Sequence, residues 1–162
     1  MNIDIKRIPF KAIAVSIAVP LAVGGLSSLL TMGSMKSFHL LRQPPLTPPD
    51  WVFPVVWSIL YILMGLGSYL AYVSADAQQR RAALTVYAGT LIMNFVWPLL
   101  FFRLGLHLTA FLWLIALLLL IISLLVRFYR IRHAAGLCIL PYLLWALFAA
   151  YLNFGVYWLN RP

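Results

Sequence analysis

A chain of 162 residues that is 64% hydrophobic and only 9% charged cannot build a water-facing surface, because a soluble domain carries about a quarter charged residues. The net charge of +9 arises with no Glu and with Asp4, Asp50 and Asp76 as the only carboxylates. The basic residues cluster at the ends of apolar runs, as membrane flanks do, so the lipid bilayer is the expected partner and nucleic acid is not.

The N-terminal stretch "KRIPFKAIAVSIAVPLAVGG" has the basic start of a signal peptide. Its apolar run continues through Met35, too far for a usual signal core, so it is read as an uncleaved first transmembrane helix over about 9–34. Four further runs reach the roughly 20 residues that a spanning helix needs: 53–74, 82–102, 107–127 and 134–158. The expected fold is therefore an all-α integral membrane protein, a single five-helix transmembrane domain over residues 1–162.

The first link, 36–52, carries Pro44, Pro45, Pro48 and Pro49. Proline fixes φ and removes a backbone donor, and it pushes the residue before it to extended geometry. A stiff, non-helical strap follows. One or two prolines would be enough to end a helix, so the excess favours a lid over the bundle.

Basic residues orient the chain. Lys6, Arg7, Lys11, Arg80, Arg81, Arg127, Arg130 and Arg132 fall on one side, against Lys36, Arg42, Arg103 and Arg161 on the other. The larger set marks the cytoplasm, which places the N-terminus inside and the strap and C-terminus outside.

Within all-apolar helices the exceptions carry the information. Pro20, Pro98 and Pro141 lie inside spans, where each removes a hydrogen bond and is expected to kink its helix. Pro98 frees the carbonyl of Asn94, so "NFVWP" is a polar defect that lipid cannot satisfy and should face the bundle interior.

At 1.5 Å per residue, Asn94 and Trp97 lie about 18 and 22 Å above the cytoplasmic end of the third span. Trp145 and Asn153 lie about 16 and 28 Å up the fifth, and Trp57 and Tyr61 roughly 6 and 12 Å below the outer end of the second. These groups share the outer half of the bilayer, and helical spacing puts each set on one face. Singly, such residues also serve as interface belt or interhelical glue. Together, beneath a stiff strap, they favour an apolar, aromatic cavity for a flat hydrophobic ligand. The fourth span has little polar patterning and is expected to face lipid or a partner.

Other chemistries lack their residues. No acid sits at mid-depth for a proton relay, no inverted repeat is visible, and no catalytic set or metal site is evident. Cys138 is the only cysteine. His39, in the strap, is the one candidate for a haem ligand, with a solvated histidine as the alternative.

The stretches "PPLTPPDWVFPVVWSILYILMGLGSYL", "NFVWPLLFF" and "LPYLLWALFAAYLN" resemble, in order, the motifs of the TspO/MBR family of translocator proteins, once called peripheral benzodiazepine receptors. The resemblance implies a five-helix dimer with one cavity beneath the first link. It also implies binding of porphyrins and other tetrapyrroles, of synthetic isoquinoline or benzodiazepine ligands, and in animals of cholesterol. Matching motifs imply ligand contacts at Trp51, Trp57, Tyr61, Asn94, Trp97, Tyr142, Trp145, Phe148, Ala149, Leu152 and Asn153.

The chain departs from the family pattern at Ser37, Phe38 and Leu46, where tryptophans are usual, at Gln43, and at Phe154 in the cholesterol motif. No cofactor is required; porphyrin or haem would be ligand. The leading expectation is a binding protein acting as sensor, carrier or scavenger. The rivals are a light-dependent protoporphyrin-degrading enzyme using Trp51 and Trp145, a porphyrin transporter, and a regulatory partner whose cavity is incidental. A homodimer seam is expected on the third span, where Thr85 and Gly89 have the spacing of close-packing small residues, with packing inside one subunit as the alternative.

Overall fold

The structure is a computed structural model that describes residues 10–34 and 38–161. Asp4, Lys6, Arg7, Lys36 and Ser37 lie outside the described residues. Among those described, all regular structure is helical: α1 (Phe10–Thr31), α2 (Val52–Ser74), α3 (Ala77–Pro98), α4 (His107–Ile131) and α5 (His133–Asn160). Each helix, with the turns that extend α1 and α3, is long and apolar enough to cross a membrane.

The helices begin and end where local chemistry dictates. Helix α3 starts at Ala77 rather than near 82 because Asp76 caps it, its carboxylate accepting from Gln79 N–H at 2.8 Å. Pro20 and Pro141 stay inside unbroken helices. Only Pro98 changes the helix type: α3 passes into a π-helical turn, Leu99–Arg103, closed by Leu104 N–H to Leu99 C=O at 3.0 Å. The chain then reverses at Gly105, whose φ of 63° favours glycine.

Helices α4 and α5 are joined by Arg132 alone, in extended geometry, so they run antiparallel as close neighbours. Around the bundle α1 packs on α2, α2 on α5, α5 on α4, α4 on α3, and α3 on α1. Helix α4 does have an inner stripe, with Ala110, Leu114, Leu117, Ile121, Leu124 and Phe128 all buried. Its sequence hid this because the inner and outer faces are equally apolar.

Two glycines of α2 set its neighbours' distances. A Cβ at Gly65 would lie 2.6 Å from Ile17 Cα and from the Ser16 carbonyl, so α1 crosses there with backbone against backbone. Gly67 faces the other way, 3.0 Å from the Ala135 carbonyl of α5 when given a Cβ. Small residues at such crossings allow the van der Waals packing that drives helix association in lipid.

The strap lies across the C-terminal end of α5. Arg42 N–H donates to Asn160 Oδ1 at 2.9 Å, and Asn160 Nδ2 returns a bond to the Arg42 carbonyl at 2.8 Å. The Pro44 ring fills the space left open by Gly155, and Tyr151 O–H donates to the Pro45 carbonyl at 2.9 Å. Leu46, hemmed in by prolines, is left with φ of 67°, a left-handed conformation that costs a non-glycine residue roughly 1–2 kcal/mol.

Gly65→Ala should therefore lower the melting temperature in detergent, through overpacking of about 1–3 kcal/mol. Gly25→Ala, where a Cβ meets nothing within 4 Å, should leave it level or raise it. Equal behaviour of the two variants would contradict the α1–α2 crossing.

Candidate ligand cavity

One turn of α3 draws the bundle together. The missing N–H of Pro98 disturbs the end of the helix, and Leu99 N–H bonds back to the Val96 carbonyl. The Phe95 carbonyl is thereby freed and accepts from Ser27 Oγ of α1 at 3.2 Å. The Met93 carbonyl accepts from Trp113 Nε1 of α4 at 2.8 Å. Asn94 Nδ2 donates to the Tyr61 hydroxyl of α2 at 2.8 Å. Trp97 Nε1 donates to Asn153 Oδ1 of α5 at 3.1 Å, and Asn153 Nδ2 donates in turn to the His107 carbonyl at 2.8 Å. In lipid each of these groups left unpaired would cost free energy.

A cavity of about 470 Å³ opens above this turn, between α1, α2 and α3 and under both ends of the strap. That is within the range of small-molecule sites. Its aromatic wall is Phe38, Phe53, Trp57, Trp97 and Phe102. Trp57 stacks on Tyr61 with ring centroids 5.4 Å apart, and Trp97 on Phe101 at 5.5 Å. Tyr61 and Asn94 lie at its polar end, and Ser27, Ser28 and Thr31 line the α1 side. At the mouth Asp50 Oδ2 lies 3.1 Å from His39 Nε2.

Of the residues expected at a site, Trp57, Tyr61, Asn94 and Trp97 come together in this wall. The α5 residues stand outside it. Tyr142 is fully buried behind Trp57, edge-on at 6.1 Å. Asn153 and Leu152 are buried in the bundle, and Asn153 acts through Trp97. Ala149 is buried. Trp145 and Phe148 line a separate apolar groove between α2 and α5, with Val56 and Pro141. Trp51 is 68% exposed at the start of α2 and also outside the wall.

The middle of the strap lies on α5, so only its ends, Phe38 and Asp50, line the cavity. His39 pairs with Asp50 at the mouth. Gly89 faces α4, where a Cβ would meet Leu120 at 3.4 Å, whereas Thr85 is exposed.

Sequence reasoning missed the contribution of α1, although "GGLSSLLT", a small and hydroxylated run in an apolar helix, was its signal. It also missed Asp50, which lies in the link outside the apolar runs.

Asn153→Leu should destabilise the protein more than Ser27→Ala. The first leaves the buried Trp97 Nε1 without its acceptor, at about 1–3 kcal/mol. The second removes one interhelical bond, worth about 0.6 kcal/mol on average in a membrane protein. Thermal melts of both variants in detergent check the order.

A model of the TspO/MBR family matches residues 16–159. The "Tryptophan-rich protein TspO" of Archaeoglobus fulgidus is 37% identical over 146 residues, covering 90% of this chain and 94% of that protein. The protein of the same name from Chlorobaculum tepidum is 34% identical over 152 residues, covering 91% and 95%. The "Translocator protein" of Sus scrofa is 32% identical over 149 residues, covering 86% and 84%. Matched by the family model over residues 16–159 and by these relatives over most of its length, the chain is an integral membrane protein that belongs to the TspO/MBR family.

Proposed function

We propose that this protein binds porphyrins, other tetrapyrroles and similar flat hydrophobic molecules inside the membrane, as sensor, carrier or scavenger. The observation that carries the reading is the cavity between α1, α2 and α3. Six aromatic side chains line it, Tyr61 among them, and its hydrogen-bonding groups lie mainly on α1 and at the Tyr61–Asn94 end. A flat ring system buries apolar area there and meets indole and phenyl faces, while few of its own atoms need a polar partner. A porphyrin or haem is then a ligand and not a resident cofactor.

Names among the relatives agree with more than one role: a Cereibacter sphaeroides protein 35% identical over 124 residues is called "Tryptophan-rich sensory protein", and the animal relatives are translocator proteins. A light-dependent degrading enzyme remains the second reading. On the present geometry its reacting indole is Trp57, in the wall, more readily than Trp51 or Trp145 outside it.

Porphyrin titration of the purified protein, read by tryptophan quenching, tests the binding reading. Trp57→Ala should weaken binding tenfold or more, since the stacking contribution of about 0.5–1.5 kcal/mol is lost along with buried area. Trp145→Ala should weaken it less. The reverse order would move the ligand to the α2–α5 groove. A product formed in light and absent in the dark would favour the enzyme, and flux into liposomes the transporter.

Two further features belong to this reading. The basic bias supports an inside N-terminus and an outside C-terminus. An exposed small-residue stripe on α3, Ala82, Thr85 and Ala88, supports a homodimer seam beside Gly89. Topology reporters at both termini should place them on opposite sides, and Thr85→Cys should cross-link two copies in membranes. A cytoplasmic C-terminus or an uncross-linked Thr85→Cys would reject the respective feature.

A further inference from the structure

The inner end of the cavity holds two hydrogen-bonding side chains that the protein uses only in part. Tyr61 and Asn94 both line the cavity, and they are 8% and 2% exposed. Asn94 Nδ2 donates to the Tyr61 hydroxyl at 2.8 Å, which leaves the hydroxyl hydrogen and Asn94 Oδ1 to be placed. Among the described residues the hydrogen finds no acceptor, and the neighbouring Tyr142 hydroxyl does not take it. Asn94 Oδ1 likewise accepts nothing among the described residues. It is not sealed off either, unlike the hydroxyls of Tyr87 and Tyr142 and the indole N–H of Trp145. The small accessible surface of Asn94 therefore faces the cavity. Turning the amide over exchanges the roles of the two side chains and still leaves a free donor and a free acceptor.

The pair is held from its surroundings. A Cβ at Gly24 of α1 would strike the Tyr61 ring, so the glycine leaves that ring its place. Trp57 stacks on the same ring with centroids 5.4 Å apart. A fixed donor and acceptor in an apolar wall favour a ligand that carries both, because a ligand lacking either leaves a desolvated group unpaired.

We propose that Tyr61 and Asn94 form a neutral recognition site for a secondary lactam or primary amide at the inner edge of a flat hydrophobic ligand. The ligand carbonyl accepts from the Tyr61 hydroxyl, and the ligand N–H donates to Asn94 Oδ1. The inference rests on the reading that this cavity binds flat hydrophobic molecules, and it adds the edge chemistry that the cavity selects. Charged groups, such as the propionates of a porphyrin, stay at the opposite end, where the strap residues Phe38 and Asp50 line the mouth.

Three neutral probes of one three-ring outline test it. Phenanthridin-6(5H)-one is the lactam. Benzo[c]chromen-6-one is the matching lactone, which accepts but does not donate, and phenanthrene does neither. Binding to the detergent-solubilised protein is read by tryptophan quenching, with each affinity taken relative to partition into protein-free micelles. The lactam should bind about tenfold more tightly than the lactone, as expected for one hydrogen bond gained and one desolvated acceptor satisfied. Phenanthrene should bind most weakly. Asn94→Leu, which removes the acceptor, should cut the lactam-to-lactone ratio to about twofold or less. Asn94→Ala carries the same expectation with less bulk and serves where the leucine variant does not fold. A cooperative thermal melt shows that a variant is folded.

A lactone that binds as tightly as the lactam overturns the proposal, as does a tenfold ratio that survives in a folded Asn94 variant. Porphyrin binding by a protein that takes up none of the three probes, or that holds all three equally, rejects the amide site and leaves the cavity reading standing. The expected probe order in a protein that ignores porphyrins rejects the tetrapyrrole reading alone.

Discussion

The bundle depends on hydrogen bonds that lipid cannot supply. Met93 to Trp97 is barely more than one helical turn, yet it exchanges hydrogen bonds with Ser27, Tyr61, Trp113 and Asn153, one from each of the other helices. Apolar side chains gain little by leaving hydrocarbon for the interior of a bundle, so apolar contact alone fixes no rotation or depth. A polar group has few acceptable positions. By concentrating them beside Pro98, the chain sets the register of all its helices from one point.

The cavity follows from the same arrangement. Tyr61 and Asn94 are held by each other, and Trp97 is held by Asn153. The ring faces above them are therefore fixed before any ligand arrives, which lowers the ordering cost of binding. The strap adds a second fixed element. Its proline-rich middle is bonded to Tyr151 and Asn160 and packed on Gly155, so it braces α5, and only its ends reach the mouth.

Much of this was legible in the sequence because polar residues are rare in it. Asn94, Trp97, Asn153 and Tyr61 stand out against an apolar background, and the structure joins them in the hydrogen-bonded pairs Asn94–Tyr61 and Trp97–Asn153. The inner face of α4 was illegible for the opposite reason, since leucines point both inward and outward. Trp145 stands beside Phe53 of α2, ring centroids 6.0 Å apart, but position along a helix and face do not say which of two spaces a side chain lines. That choice depends on the α2–α5 crossing at Gly67, a contact between residues far apart in the chain. The strap's attachment was hidden likewise, because Gly155 reads as an ordinary small residue until Pro44 is seen against it.

The pairing of Trp97 with Asn153 also bears on how the protein is made. Helices of a membrane protein are inserted in chain order, and Asn153 lies near the end of the last one. Until α5 enters the bilayer, the indole N–H of Trp97 and the carbonyl of His107 lack the side chain that joins them. The first four helices thus form an assembly with an unfilled polar seam, which the fifth completes. The polar network of the bundle closes at the C-terminal helix, through the single side chain of Asn153.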